Sequence, residues 1–220
     1  RRITCRLRKS MNNKSFLLMI AFICGAVVMG IELVGSRILS PFFGNSIFVW
    51  GSLISVFMGA LSLGYYIGGW YSDKNPSINK LAMIIFFSAI FILLIPVFGK
   101  SINNFISGLN LDVRWASLFS SLILFFAPIA ALGVVSPYII KMNTSELDKI
   151  GMSAGSVYAI STLGSIIGTI ATSFYLISLI GVSAIFYCYG ILLIIISILM
   201  VTVGILSKKK SLLQDKCQYL

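Results

Sequence analysis

Histidine is absent, acidic residues number only six, and the four cysteines stand far apart in the chain. Each absence removes a class of chemistry. Without histidine there is no imidazole base. Cys5, Cys24, Cys188 and Cys217 contain no C-x-x-C pair, so neither a zinc site nor a disulfide framework is indicated. No G-x-x-x-x-G-K-[ST], G-x-G-x-x-G or H-E-x-x-H motif occurs, so no cofactor and no metal are expected. With few carboxylates to form acid–base pairs, a self-contained enzyme is not expected either. Charged residues of any kind make up only 10% of the chain, against roughly a quarter in an ordinary soluble domain.

What fills the sequence instead is hydrocarbon. Apolar residues make up 58% of the 220 positions, and the mean hydropathy is +1.01. Too few polar residues remain to cover a soluble surface. A helix needs about 20 apolar residues to cross a bilayer. Six segments approach or exceed that length: 16 to 35, 48 to 70, 81 to 98, 115 to 139, 154 to 179 and 183 to 206. The composition therefore predicts an all-α integral membrane protein. Its six-helix domain spans 15-206, between a basic N-terminal segment 1-14 and a basic tail 207-220. The first run is too long for a cleaved signal peptide and lacks a small-x-small cleavage site. Met11 is a candidate natural start.

The formal charge of +11 reads as topology. Lys and Arg concentrate in cytoplasmic loops. With the N-terminus inside, the cytoplasmic segments hold fourteen of them, including Lys14, Lys74, Lys80, Lys141, Lys149 and Lys208 to Lys210, whereas the outer side keeps Arg37, Lys100 and Arg114. Discarding the first ten residues still leaves nine against three. A multi-pass protein of the cell membrane with both termini cytoplasmic is expected, in contact with the lipid bilayer and with no nucleic-acid partner. Trp50, Trp70 and Trp115 all fall at predicted span ends, where amphipathic rings prefer the headgroup region. Cys5 and Cys217 lie beside the membrane ends, so they stand as acylation candidates or as unmodified thiols.

An offset of 100 residues lays SLGYYIG (62 to 68) over TLGSIIG (162 to 168). The first and fourth spans also each run into a Ser-Pro-aromatic triplet, Ser40-Pro41-Phe42 and Ser136-Pro137-Tyr138. Three helices per half would invert one half relative to the other, a 3+3 inverted repeat of the kind found in secondary transporters. The alternative is that small residues recur for close packing alone. Gly64, Gly68, Gly164 and Gly168 form two G-x-x-x-G pairs, read as helix-packing contacts within the chain or between subunits. Pro128 and Pro137 remove backbone donors from the fourth span and predict a kink. Glu32 is the only acid inside a span, which makes it a candidate cation or proton site. The competing reading is neutralisation by water or by Arg37. Five residues apart, Glu32 and Arg37 occupy different faces of an ideal helix, so pairing them needs an irregular turn or another helix.

Two stretches, IELVGSRILSPFFGNSIFVWGSLISVFMGALSLGYYIGGWYSDKNPS (31 to 77) and GSVYAISTLGSIIGTIATSFYLISLIG (155 to 181), resemble the membrane domain of fused spermidine synthase-like proteins, of the polyamine aminopropyltransferase family. The matching positions are Glu32, Arg37, Pro41, Gly44, Trp50, Gly64, Gly68, Asp73, Tyr158, Ser161, Gly164 and Gly168. The resemblance implies a six-helix region like half of a major facilitator superfamily transporter. In that family such a region precedes a cytoplasmic aminopropyltransferase domain, which SKKKSLLQDKCQYL at the end of this sequence does not supply. The resemblance thus implies either a membrane subunit beside a separate, soluble spermidine synthase-like partner or a fragment of a longer chain. As anchor or transport module it would have no catalytic site of its own. The rival expectation is a secondary transporter or exporter of small cations or metabolites, acting as a homo-oligomer, most simply a homodimer. A scaffold that moves nothing is the third.

Overall fold

The computed structural model describes residues 2–74, 76–144 and 150–216, with side chains placed for 14–74, 76–144 and 150–206. The side chains of Cys5 and Met11, of Lys149 and Cys217, and of the basic residues of both terminal segments other than Lys14 lie outside that set.

In hydrocarbon no water can satisfy a backbone N–H or C=O, so an apolar run has to bond to itself as a helix. The described chain follows that rule throughout. Its elements are α1 (Arg2–Phe43), α2 (Ile47–Asp73), α3 (Ile78–Ser107), α4 (Val113–Gly133), α5 (Val135–Asn143), α6 (Ile150–Ile170), a π-helical turn (Ala171–Leu176), α7 (Ile177–Ile180) and α8 (Val182–Lys216). Six stretches are long and apolar enough to cross a membrane: Lys14–Phe43, Ile47–Asp73, Ile78–Ser107, Val113–Asn143, Ile150–Ile180 and Val182–Leu206. All six expected spans are therefore present. Each starts earlier or ends later than its apolar run, because helical hydrogen bonding continues after hydrophobicity fades.

The breaks have local causes. Gly44 adopts φ +77°, a left-handed conformation natural to glycine, and its N–H donates to the Ser40 carbonyl at 2.9 Å, closing α1. The Asp112 side chain accepts the Arg114 N–H at 2.9 Å and caps α4. Gly181, at φ +74°, separates α7 from α8. The fourth span is interrupted at Val134, between its two prolines. Pro128 sits inside α4 and Pro137 in the first turn of α5, so the kink expected from these two residues is realised as a junction between two helices.

The helices pair in a revealing order. The principal partner of α1 is α6, that of α2 is α4, and that of α3 is α8. Exchanging the first three spans with the last three turns the first pairing into the second and leaves the third unchanged. Glycines set both equivalent contacts. A Cβ added to Gly64 would overlap the Ala130 carbonyl, and one on Gly68 would lie 2.8 Å from Val134 Cα. On Gly164 it would overlap the Phe22 carbonyl, and on Gly168 it would lie 2.6 Å from Ala26 Cα. All four sequence-identified glycines thus let backbones touch inside the chain.

Burial repeats at the same offset of 100. Residues 57 and 157, 64 and 164, and 68 and 168 are buried in both copies, while 59 and 159, 62 and 162, 66 and 166, and 70 and 170 are exposed in both. The Ser-Pro-aromatic triplets, however, are not equivalent. The glycine contacts match Phe22 with Ala130 and Ala26 with Val134, a shift of 108, whereas the triplets are 96 apart. Pro41 is exposed in the last turn of α1; Pro137 lies against Gly68.

Candidate functional site

Within the bundle α1 is the most widely shared helix, touching α2, α3, α4, α5, α6, the π-turn and α8. Glu32 projects from it, half-buried, with no hydrogen bond or ion pair among the described residues. Arg37 is exposed and likewise has none. Because α1 is unbroken through both positions, they stay on different faces, and the structure does not bring them together. The apolar run places Glu32 close to a helix end. Since α1 continues to Phe43, the carboxylate instead lies about 16 Å before that end at 1.5 Å per residue.

Two ion pairs stand at the ends of helices. Lys141 Nζ stands 2.7 Å from Asp73 Oδ1, and Arg114 Nε 3.8 Å from Asp112 Oδ1. Beside the first pair, buried Tyr138 accepts the Ser77 N–H at 2.9 Å, its hydroxyl 3.3 Å from the Ser77 carbonyl. These contacts fix the α2–α3 turn against α5. They leave Glu32 as a carboxylate in a span without a counter-ion among the described residues.

Two residues before Glu32, Gly30 admits the Tyr189 hydroxyl to the α1 backbone; a Cβ there would overlap it. Tyr189 Oη lies 2.5 Å from Thr172 Oγ1, which donates to the Gly168 carbonyl at 2.6 Å. Thr172 has one proton and has spent it on Gly168, so Tyr189 is the donor between the two. Thr172 belongs to the π-turn, where the Ile177 N–H reaches back five residues to the Thr172 carbonyl. Such turns are rare and recur at functional sites. The joint of α1, α8 and the π-turn is thus polar, tightly packed and irregular, and Glu32, two residues beyond Gly30, leaves α1 on a different face.

A second polar centre escaped the sequence reading. Ser117, Ser120 and Ser121 on α4 and Asn103 on α3 are fully buried. Ser120 donates to Asn103 Oδ1, Ser52 and Ser117 share a hydrogen bond of 3.0 Å, and Asn103 Nδ2 donates to the Ile38 carbonyl at 3.4 Å. Deeper along the same helices, Ser88 donates to the Pro128 carbonyl at 2.9 Å. The signal that could have found the cluster is the i, i+3, i+4 spacing of the three α4 serines, one helical face of hydroxyls. A cavity of about 280 Å³ opens near this network, lined by Phe42, Phe43, Ser107, Asn110, Leu111, Val113 and Ala116. An apolar groove of about 500 Å³ runs beside it between α3 and α4. Glu32 lines neither.

Compared with known proteins, the chain matches no family model, no curated protein and no solved structure.

Proposed function

We propose that this chain is the membrane module of a spermidine synthase-like system, held in the cell membrane with both termini cytoplasmic, and that it moves a small cation or metabolite as well as anchoring its partner. The observation carrying the transport half is Glu32, a half-buried carboxylate on the central helix with no counter-ion among the described residues. Keeping such a charge in a span costs a few kcal/mol, so its retention favours use over ornament. The interchangeable pairing of the two halves supports the same reading, because inverted repeats suit alternating access. In this reading Glu32 binds the cation or proton, while Tyr189 and Thr172 hold the adjoining helices in register. Chemistry on the substrate belongs to the partner.

Flux through reconstituted liposomes tests the claim, with a labelled diamine and a proton-sensitive dye as probes. Glu32→Gln should lower diamine uptake at least about tenfold, as removal of a binding charge does, and Glu32→Asp should retain part of it. Unchanged flux in Glu32→Gln would remove the carboxylate from the mechanism. Co-purification from native membranes tests the partner. A secondary transporter working as a homodimer shares the Glu32 observation. Recovery of the chain without a synthase-like protein, from cells that contain one, would favour it.

A further inference from the structure

Two hollows meet where α3 turns into α4. The cavity at the helix ends is rimmed by Ser107, the last residue of α3, and by Asn110 in the turn, with Phe42 and Ala116 behind them. The groove between α3 and α4 is apolar, walled by Ile102, Phe105, Phe119 and Ile123. Leu111 lines both, so the two are continuous. From the first residue of α4, Val113, the groove descends to Ile123, about 15 Å at 1.5 Å per residue. That is the depth of one leaflet in a hydrocarbon core about 30 Å thick. The composite is polar where the helices end and apolar for one leaflet below.

Uncommitted donors stand at the junction. Ser107 Oγ, the Asn110 amide and Trp115 Nε1 have no hydrogen-bond partner among the described residues. Asn110 is the one non-glycine residue at positive φ there, at 51°, a conformation asparagine tolerates better than most side chains. Trp115 stacks on Phe119 with ring centroids 6.4 Å apart, which ties a ring of the kind that prefers the headgroup region to the groove wall. The nearby acid, Asp112, is already engaged: its Oδ1 accepts the Arg114 N–H and lies 3.8 Å from Arg114 Nε.

We propose that this composite binds one phospholipid molecule, with an acyl chain in the α3–α4 groove and the phosphodiester and glycerol at the junction. The division of the site supports that occupant. A phosphodiester carries only acceptor oxygens on its phosphorus, and the three side chains at the junction offer donors. Hydrocarbon in the groove replaces bulk lipid without loss, so the donors and the shape of the junction decide which amphiphile stays. A free fatty acid would fill the groove but leave the cavity of about 280 Å³ without its glycerol and phosphate. Glu32 lines neither hollow, so the site stands or falls separately from the transport reading.

Trp115 itself reports on the site. In a Trp50→Phe/Trp70→Phe chain, purified in detergent and stripped of lipid, dibrominated phosphatidylglycerol is titrated, because bromine near an indole quenches its emission. Quenching is expected to saturate near one lipid per chain, and free dibromostearate to need about tenfold more, the cost of one or two lost hydrogen bonds. Ile102→Phe/Ile123→Phe, which fills the groove, should raise the half-saturating phospholipid concentration about tenfold. Asn110→Gly, which keeps the left-handed turn and removes only the amide, should raise it severalfold. Quenching that rises without saturation overturns the site and leaves only bulk lipid contact. Saturation by dibromostearate at the same concentration overturns the phospholipid in favour of a fatty acid. An unchanged titration in either variant also overturns the proposal. If the groove-filled variant is not monodisperse after extraction, Asn110→Gly and the two amphiphiles decide.

Discussion

Two sides of one bundle, α3/α8 and α2/α6, both expose large apolar side chains, yet only the second also carries glycines open to the outside. Exposed Phe and Leu on α3 and α8 match acyl chains on chemistry, so exposure there is the finished state. Exposed Gly, Ser and Thr on α2 and α6 do not. The same two helices turn Gly64, Gly68, Gly164 and Gly168 inward, where the chain's own α4 and α1 meet them. In a membrane helix, then, the kind of residue left exposed says more about its surroundings than the amount of surface does.

The contrast can be broken most severely from the inward side. Gly164→Leu would drive a side chain into the Phe22 carbonyl, and backbone cannot step aside as a flexible side chain does. A loss of at least about 3 kcal/mol is expected, at or beyond the usual range for overpacking, read as collapse of the monodisperse peak after extraction. Gly59→Ala on the outward side meets nothing within 4 Å. In thermal unfolding it should be neutral or stabilising by up to about 1 kcal/mol, the helix-propensity gain of Ala over Gly. Equal damage from the two variants would erase the inward–outward distinction.

Buried hydroxyls come next. Ser120→Ala leaves Asn103 Oδ1 without the donor it has in the core, which should cost about 1–3 kcal/mol in thermal unfolding. Ser55→Ala, at an exposed position of α2, should cost less than about 0.5 kcal/mol. Tyr189→Phe removes the donor to Thr172 but leaves the Thr172 bond to Gly168, so about 1 kcal/mol is expected. The smallest effect belongs to Lys141→Ala. Its ion pair with Asp73 is 2.7 Å long but half or more exposed on both sides, so about 0.5 kcal/mol is expected, shrinking as salt is raised.

Much of this architecture was legible in the residues, and the parts that were not share a cause. Six apolar runs correspond to six helical spans, because a bilayer leaves an apolar backbone no alternative to internal hydrogen bonds. The L-G-x-x-I-G match was legible too, and the glycines of both copies lie against backbone. The Ser-Pro-aromatic match misled. Three residues can coincide without sharing a packing partner, and a 12-residue disagreement between registers is visible only when the partners are known. Glu32 stood out because acids are rare in spans, but its depth did not. Helix length past an apolar run depends on where a left-handed glycine, here Gly44, closes the last turn. Ser117, Ser120, Ser121 and Asn103 passed unnoticed, since a hydroxyl in a helix bonds equally well to its own backbone, and nothing local tells a lone serine from one facing an amide.

Sequence alone determined the number of membrane spans, the shortage of chemistry-bearing groups and the small-residue positions on α2 and α6, because each depends on properties a residue carries with it. Tertiary structure alone decided which glycine face is occupied and which is open, that Glu32 and Arg37 remain apart, and that the first and second halves exchange partners. Those are relations between helices distant in the chain, and helix direction, crossing and depth are set by packing that no single segment contains.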